Sequence, residues 1–174
     1  MAFRSRTRRV ARPRKRAVWC NIPFGGVAFT EVVGHQLLMV PEDWEAQYQG
    51  SANEQAVLRT IVGNICLQQT VIGTAGTALF WMIYIADKDA TVVPNFTVAD
   101  LGDVDILRVG ALGTATSISI PNTAALQSSI PIDIRAKRRL KSRDAIHICA
   151  QYANDAASPA GVLSGILRFL VARD

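Results

Sequence analysis

The sequence predicts an all-β fold: an eight-stranded antiparallel jelly roll built from two packed four-stranded sheets. Three observations favour it. Thr, Val, Ile and Ala dominate the chain after residue 16 while helical periodicity is rare, apolar or alternating segments of strand length recur at nearly regular intervals, and Gly, Pro, Asn and Asp separate them. A closed eight-stranded barrel is the alternative, although its strands would alternate more cleanly between apolar and polar residues.

The first four predicted strands combine apolar faces with turn residues at their ends. In the second, Val57 and Ile61 fall on one face, which Arg59 interrupts. The third is apolar on both faces, which predicts a central strand covered on both sides. Pro41 with the acids that follow it predicts a helical turn, and residues 98–102 predict another. The four strands span residues 26–40, 55–69, 77–86 and 103–109.

The last four predicted strands are bounded by turn residues such as Gly113, Pro121, Ser142 and Gly161. The final strand is apolar on both faces, which again indicates a core on one side and a neighbouring element or subunit on the other. These strands span residues 114–120, 130–139, 145–151 and 162–172.

The first sixteen residues carry eight positive charges and no negative one, whereas residues 17–174 sum to about −3 in a chain of net charge +5. So few apolar groups accompany the charges that the segment cannot offset its ordering entropy. We therefore expect a disordered arm over residues 1–18 and a jelly-roll domain over residues 19–174. The predicted nucleic-acid-binding residues of the arm are Arg4, Arg6, Arg8, Arg9, Arg12, Arg14, Lys15 and Arg16.

Arginine dominates this arm, and its guanidinium group pairs with phosphate in two-pronged fashion, which favours a nucleic-acid backbone as the partner. Only Phe3 and Trp19 accompany the charges as aromatic residues, so we expect base stacking to be minor and binding to be independent of sequence. A nuclear import signal, a transit peptide, a membrane-surface contact and a solvated tail without a partner stay open. No apolar segment of a secretory signal follows the charges.

A second basic cluster lies in the sixth predicted strand. Arg135, Lys137 and Arg139 share one strand face, Lys141 lies just beyond, and Arg138 falls on the other face. Three cations on one face predict a stripe that contacts phosphate. The alternative is a solvated strand edge that its charges protect against aggregation.

Catalysis and cofactors are not expected. The two histidines, His35 and His147, lie in apolar strand-like contexts that are typical of structural histidines, and no nucleophile elbow, paired-histidine metal motif or phosphate-binding loop is present. Asp100, Asp103 and Asp105 raise a weak possibility of calcium, against the alternative of helix capping and solvated acids.

The cysteines and the apolar content of the chain indicate where it folds and whether it associates. Three cysteines at long spacings predict reduced thiols and intracellular folding, with Cys66 and Cys149 in the core. No apolar run approaches the length of a membrane span. An apolar content of 49% in a small body predicts association of subunits.

The order of these elements resembles a known family. Residues 80–87 form an aromatic strand, residues 132–140 form a basic strand followed by a tight turn at 142–144, and residues 161–172 form a closing apolar strand near the last residue. With the Arg-rich arm, this order resembles the single jelly-roll coat proteins of small circular Rep-encoding single-stranded DNA viruses (CRESS-DNA viruses). It is also similar to the satellite tobacco necrosis virus type of coat protein.

This resemblance implies an icosahedral T=1 capsid of about sixty identical copies, with the arm directed inward on the genome. It implies packaging of single-stranded DNA rather than RNA, residence in the virion, and assembly in the host nucleus after binding an import receptor. Three alternatives remain: an RNA-virus or satellite coat protein, a cellular jelly-roll trimer or ligand-binding module with a basic targeting tail, and a monomeric RNA-binding protein.

Overall fold

A computed structural model describes residues 17–29, 34–40, 56–69, 78–90, 104–113, 126–152 and 161–173. These residues form eight strands and the tight turns next to two of them. The strands are β1 (Ala17–Phe29), β2 (Gly34–Met39), β3 (Ala56–Gln69), β4 (Ala78–Asp87), β5 (Asp105–Gly113), β6 (Leu126–Leu140), β7 (Asp144–Tyr152) and β8 (Gly161–Arg173).

The strands form two four-stranded sheets. Sheet A has the order β1-β8-β3-β6 and sheet B the order β2-β7-β4-β5. Every pairing is antiparallel, and the first strand of the chain lies beside the last. Because most neighbours in each sheet are distant in sequence, the chain repeatedly crosses between the sheets, as in a jelly roll. The predicted fold class is confirmed.

Six predicted strands correspond to β3 through β8, but the prediction of one strand over residues 26–40 is wrong. This part of the chain forms β1 and β2, and β1 begins at Ala17. Pro23 lies in an edge strand, where a missing N–H disturbs the sheet least, and a bulge between Phe24 and Val27 accommodates Gly26 at φ 73°. Residues 1–16, the predicted strand 114–120 and the two predicted helical turns lie outside the described residues.

The core lies between the sheets. Its largest fully buried side chains include Phe169, Ile61, Leu58 and Ile83. The sequence placed Val57 on the face of Ile61, but a bulge between Leu58 and Thr60 shifts the alternation by one residue. Leu58 therefore joins Ile61 in the core, and Arg59 occupies the irregular position.

Two glycines allow close contacts that a side chain would prevent. Gly63 in β3 has a φ of 150°, and a Cβ there would meet the backbone of Ile166 in β8. Gly110 in β5 lies opposite Trp81, so that the indole ring of Trp81 occupies the space where a Cβ would stand. Both glycines thus permit packing that is specific to this fold.

The prediction that the third strand, over residues 77–86, is covered on both faces is confirmed for β4. Trp81, Ile83 and Ile85 of β4 face the main core, while Met82 and Tyr84 of the same strand belong to a second buried cluster that includes Cys149. Sheet B is therefore apolar on both sides along β4 and β7. Within the described residues no helix is long and apolar enough to cross a membrane.

Candidate nucleic-acid interface

The predicted stripe on β6 lies on the outward face of sheet A. Ile132, Ile134 and Leu140 are buried, whereas Arg135, Lys137 and Arg139 alternate with them and are exposed. Among the described strands, β6 lies at the edge of this sheet and pairs with β3. The structure thus brings the three predicted cations together on one accessible surface, and no described carboxylate forms an ion pair with Arg135 or Lys137.

Lys141 lies just beyond the strand, in the turn that joins β6 to β7. Its backbone N–H donates to Asp144 Oδ2 at 2.8 Å, and the Asp144 N–H donates back to the Lys141 carbonyl at 3.0 Å. These bonds fix the turn through the backbone and leave the Lys141 side chain exposed. Its charge therefore continues the stripe at the end of the strand.

Arg138, unlike Arg135 and Lys137, forms an ion pair within the described part of the subunit. It points to the opposite side of β6, and its Nε lies 3.0 Å from Asp105 Oδ2 on β5. β6 and β5 are edge strands of different sheets, so this ion pair joins the two sheets at one side of the sandwich. Both side chains are about half exposed, and such a pair contributes roughly 0–1 kcal/mol.

The weak calcium prediction involved Asp105, which pairs with Arg138, together with Asp100 and Asp103, which lie outside the described residues. Among the residues that the structure describes, no group of three or more His, Cys, Asp or Glu side chains could hold a metal ion.

Arg143, next to the stripe, is occupied by carboxylates. Its Nε donates to Asp87 Oδ2 at 2.8 Å, and its Nη2 reaches Asp87 Oδ1 and Asp89 Oδ2, each at 3.1 Å. Hydrogen bonding to Arg143, followed by the backbone N–H of Asp89, lowers the pKa of Asp87 to about 2. This cluster ties the end of β4 to the β6–β7 turn and leaves Arg143 less available for phosphate than Arg135 and Lys137.

The outward face of sheet A holds a basic site that the sequence did not indicate. On β8, Arg168 alternates with buried Leu167 and Phe169 and is exposed. Its guanidinium carbon lies 4.9 Å from the ring centroid of Trp19 on β1. Its Nε donates to Asn21 Oδ1 at 3.0 Å. These contacts hold the cation in a defined position.

The register places this site and the stripe on one surface. Trp19, Leu170, Thr60 and Arg135 follow one another in a single row across β1, β8, β3 and β6. Partners in such a row point to the same side of the sheet. Asp133 is the one carboxylate on this face among the described residues, so the face is predominantly positive.

The histidines lie on the far side of sheet B. His147 is 1% exposed, and its Nδ1 is 2.8 Å from Nε2 of His35, while its ring stacks on Tyr84. Burial, followed by the charge of His35, lowers the pKa of His147 to about 4, and burial also lowers the pKa of His35. Both rings are therefore neutral near pH 7. Nε2 of His147 has no hydrogen-bond partner among the described residues.

All three cysteines are free thiols, and two of them are buried. Burial raises the pKa of Cys149 to about 12, so this thiol is inert. The prediction that Cys66 lies in the core is wrong. Ile65 faces the core, and because side chains alternate along a strand, Cys66, the next residue of β3, is exposed.

Comparisons with known proteins found structures but no sequence family. No family model matches the chain, and no curated protein matches it. A structure of Desmodium yellow mottle tymovirus is 11% identical, with a TM-score of 0.35 over 98% of this chain and 95% of that chain. The Eiger TNF of S. frugiperda is 9% identical, with a TM-score of 0.38 over 90% and 92%.

A third structure, that of infectious bursal disease virus strain Gx, is 15% identical, with a TM-score of 0.30 over 94% of this chain and 36% of that chain. The assignment of a jelly roll rests on the strand order and register of this chain, which identify the fold independently of these similarities.

Proposed function

We propose that this chain is a viral coat protein that assembles into a small icosahedral T=1 shell and packages single-stranded nucleic acid through an internal Arg-rich arm. The observation that supports this most is the separation of charge. The arm of residues 1–16 joins β1 at Ala17, and β1 belongs to the sheet whose outward face carries Arg135, Lys137, Arg139 and Arg168. The far side of the other sheet carries a buried apolar cluster that includes Met82, Tyr84 and Cys149.

Such a subunit presents one basic side to a polyanion. The arm and the stripe would bind phosphates together, because the arm precedes β1 of sheet A, which carries the stripe on β6, and because such contacts are largely independent of base identity. Sixty arms of eight cations each would bring roughly 480 positive charges, enough to neutralise on the order of several hundred phosphates.

The exposed apolar side chains favour association. Val109 is 49% exposed and Ile166 is 59% exposed, on opposite sheets. Burial of such groups between subunits contributes about 25 cal/mol per Å² of apolar surface.

The resemblance to CRESS-DNA virus coat proteins adds three parts to this proposal. DNA is the genome, the virion is the final location, and the host nucleus, reached through the arm, is the place of assembly.

The test begins with the full chain purified from cells that express it. A particle of megadalton size on a sizing column, seen as a shell by electron microscopy, is the expected result. A trimer would instead indicate the cellular jelly-roll protein, and a salt-sensitive monomer in complex with RNA would indicate the monomeric RNA-binding protein. Digestion of the packaged nucleic acid by DNase or by RNase separates a DNA virus from an RNA virus or satellite.

A variant in which Gln replaces the eight cations of the arm keeps its length. It should form particles with much less nucleic acid, measured by the ratio of absorbance at the nucleic-acid and protein maxima. A matched variant with Arg138→Gln removes a cation that is paired with Asp105 and should package normally. Unchanged nucleic-acid content in the arm variant would refute the packaging mechanism.

A further inference from the structure

We propose that Trp19 and Arg168 form a site on which a base of single-stranded nucleic acid stacks. This inference rests on the proposed function and deepens it, because it adds a contact to bases where the arm and the stripe offer contacts to phosphates.

The geometry at Trp19 suits a flat ligand. Trp19 is 38% exposed, and the Arg168 guanidinium carbon lies over the indole ring, 4.9 Å from the ring centroid, so that an indole ring and a planar cation are stacked at one place on the surface. Asn21 accepts a hydrogen bond from Arg168 Nε at 3.0 Å, so that the orientation of the guanidinium group is fixed before a ligand arrives. Bases stack on indole rings and on guanidinium planes alike, and a preformed surface loses little freedom on binding.

The position of the pair points to the same ligand as the arm. Arg16 precedes Trp19 by three residues, so a strand held by the arm reaches the sheet at Trp19. Leu170 and Thr60 separate Trp19 from Arg135 along one row, which spans three strand spacings or about 14 Å. A single strand can therefore contact the arm, the Trp19–Arg168 pair and the stripe in succession.

Charge favours nucleic acid over a second copy of this chain. Among the described residues, Asn21 is the one side chain that accepts a hydrogen bond from Arg168, and it is uncharged, so the guanidinium group keeps a positive charge that a phosphate oxygen can pair with. A second copy seated here would need to supply a carboxylate for this cation. A duplex would fit poorly, since its bases are already stacked and paired.

The experiment compares three probes on the full-length protein, stripped of nucleic acid at high salt. The probes are a short oligothymidylate, an abasic oligonucleotide of the same length, and a duplex of the same length. Trp19→Leu should weaken binding of oligothymidylate about fivefold or more, the low end for loss of one base–aromatic stack, and leave the abasic probe unchanged. Trp19→Phe should restore most of the affinity.

A matched control variant removes a proposed phosphate contact instead of the proposed stacking contact. Arg135→Gln should weaken all probes by a similar factor, because the stripe contacts the backbone that they share. Tryptophan fluorescence gives a second measure: oligothymidylate should quench the native protein more than the Trp19→Phe variant, whereas the abasic probe should quench neither strongly. Circular dichroism and thermal unfolding confirm that each variant is folded.

The outcomes separate the two proposals. Equal loss of oligothymidylate and abasic binding in Trp19→Leu, or no loss of either, overturns the stacking site and leaves the phosphate contacts standing. A changed oligomeric state in Trp19→Leu with unchanged probe preference shows a subunit contact and also overturns the site. If the native protein binds no probe at all, both the stacking site and the packaging function are refuted.

Discussion

Acid should destabilise the fold through one buried histidine, His147. Its ring lies between Tyr84 and His35 on the far side of sheet B, at 1% exposure. The titratable groups next to it are His35 on β2, Tyr84 on β4 and Cys149 on β7, its own strand. Burial first, and the neighbouring Cys149 second, raise the pKa of Tyr84, and burial raises that of Cys149 to about 12, so that both stay neutral in acid.

The lowered pKa of His147 sets the direction and the size of the change in the free energy of unfolding with pH. His147 titrates near pH 6.5 when unfolded and at about 4 when folded, so the unfolded chain binds the extra proton between these values. The stabilising contribution of neutral His147 is complete above pH 6.5 and is lost as the pH falls toward 4. A shift of roughly 2.5 pKa units corresponds to about 3 kcal/mol, with a slope approaching 1.4 kcal/mol per pH unit. The lowered pKa of His35 acts in the same direction.

Urea unfolding of the unassembled subunit, followed by tryptophan fluorescence at several pH values between about 4 and 7, measures this loss. His147→Gln keeps a polar group beside His35 but cannot titrate, so its free energy of unfolding should vary much less with pH. Asp87 does not interfere with this measurement, because its folded pKa is lowered from 3.8 to about 2, so its stabilising contribution is complete above pH 3.8 and is lost only as the pH falls from there toward 2. A native protein with constant stability from pH 6.5 to 4, or a variant that keeps the native slope, would refute the explanation.

Three further predictions concern sheet A. Gly63→Ala should lower the free energy of unfolding by about 2 kcal/mol or more, because a Cβ would meet the β8 backbone at an unfavourable φ, whereas Gly25→Ala, with open space at its Cβ, should be nearly neutral. A thiol reagent should label Cys66 rapidly in the native protein and Cys149 after unfolding; equal rates would contradict the placement. Arg135→Gln should reduce the slope of log affinity for a single strand against log salt by about 0.7, and an unchanged slope would show that this residue contacts no phosphate.

The parts of the fold that could be predicted were those that local patterns determine. The alternation in β6 placed Arg135 and Arg139 on one face and Arg138 on the other, and the structure agrees, because no bulge reverses the side on which these residues lie. The apolar run of β4 likewise indicated cover on both faces. Period-two alternation is a property of a single strand, so it needs no knowledge of partners.

The strand bounds and core positions that were predicted wrongly depend on the partners of each strand. The first strand was predicted to begin at residue 26, yet β1 begins at Ala17 and continues through Pro23 and Gly26 as an edge strand with a bulge. The shift at Arg59 places Leu58 in the core, and the irregularity occurs in the pairing of β3 with both of its neighbours, β6 and β8. Bulges of this kind arise from the sheet as a whole, and the residues beside them carry no distinctive pattern.

The Trp19–Arg168 pair shows the same limit at the candidate site. A lone arginine between Leu167 and Phe169 is a visible signal that one face of β8 meets solvent, but its partner lies 149 residues away in sequence. The pairing of first and last strands brings them together, and only the register sets Asn21 opposite Arg168. The scarcity of aromatic residues in the arm predicts that base stacking is minor, whereas the sheet brings an aromatic ring and a guanidinium group together from positions that are distant along the chain.

The contrast between the two sheets constrains how copies of this subunit can be arranged around a polyanion. Bringing Met82, Tyr84 and Cys149 to the polyanion would first require exposing a buried apolar cluster, at a cost that scales with its area, and would offer no cation in return. Sheet A needs no such change, since its outward face already displays Arg135 and Arg168. In a shell, sheet A would therefore face the genome and sheet B would lie away from it. The acid-sensitive pair of His35 and His147 would then lie on the side away from the genome, so loss of stability in acid and release of phosphates would begin on opposite sides of the subunit.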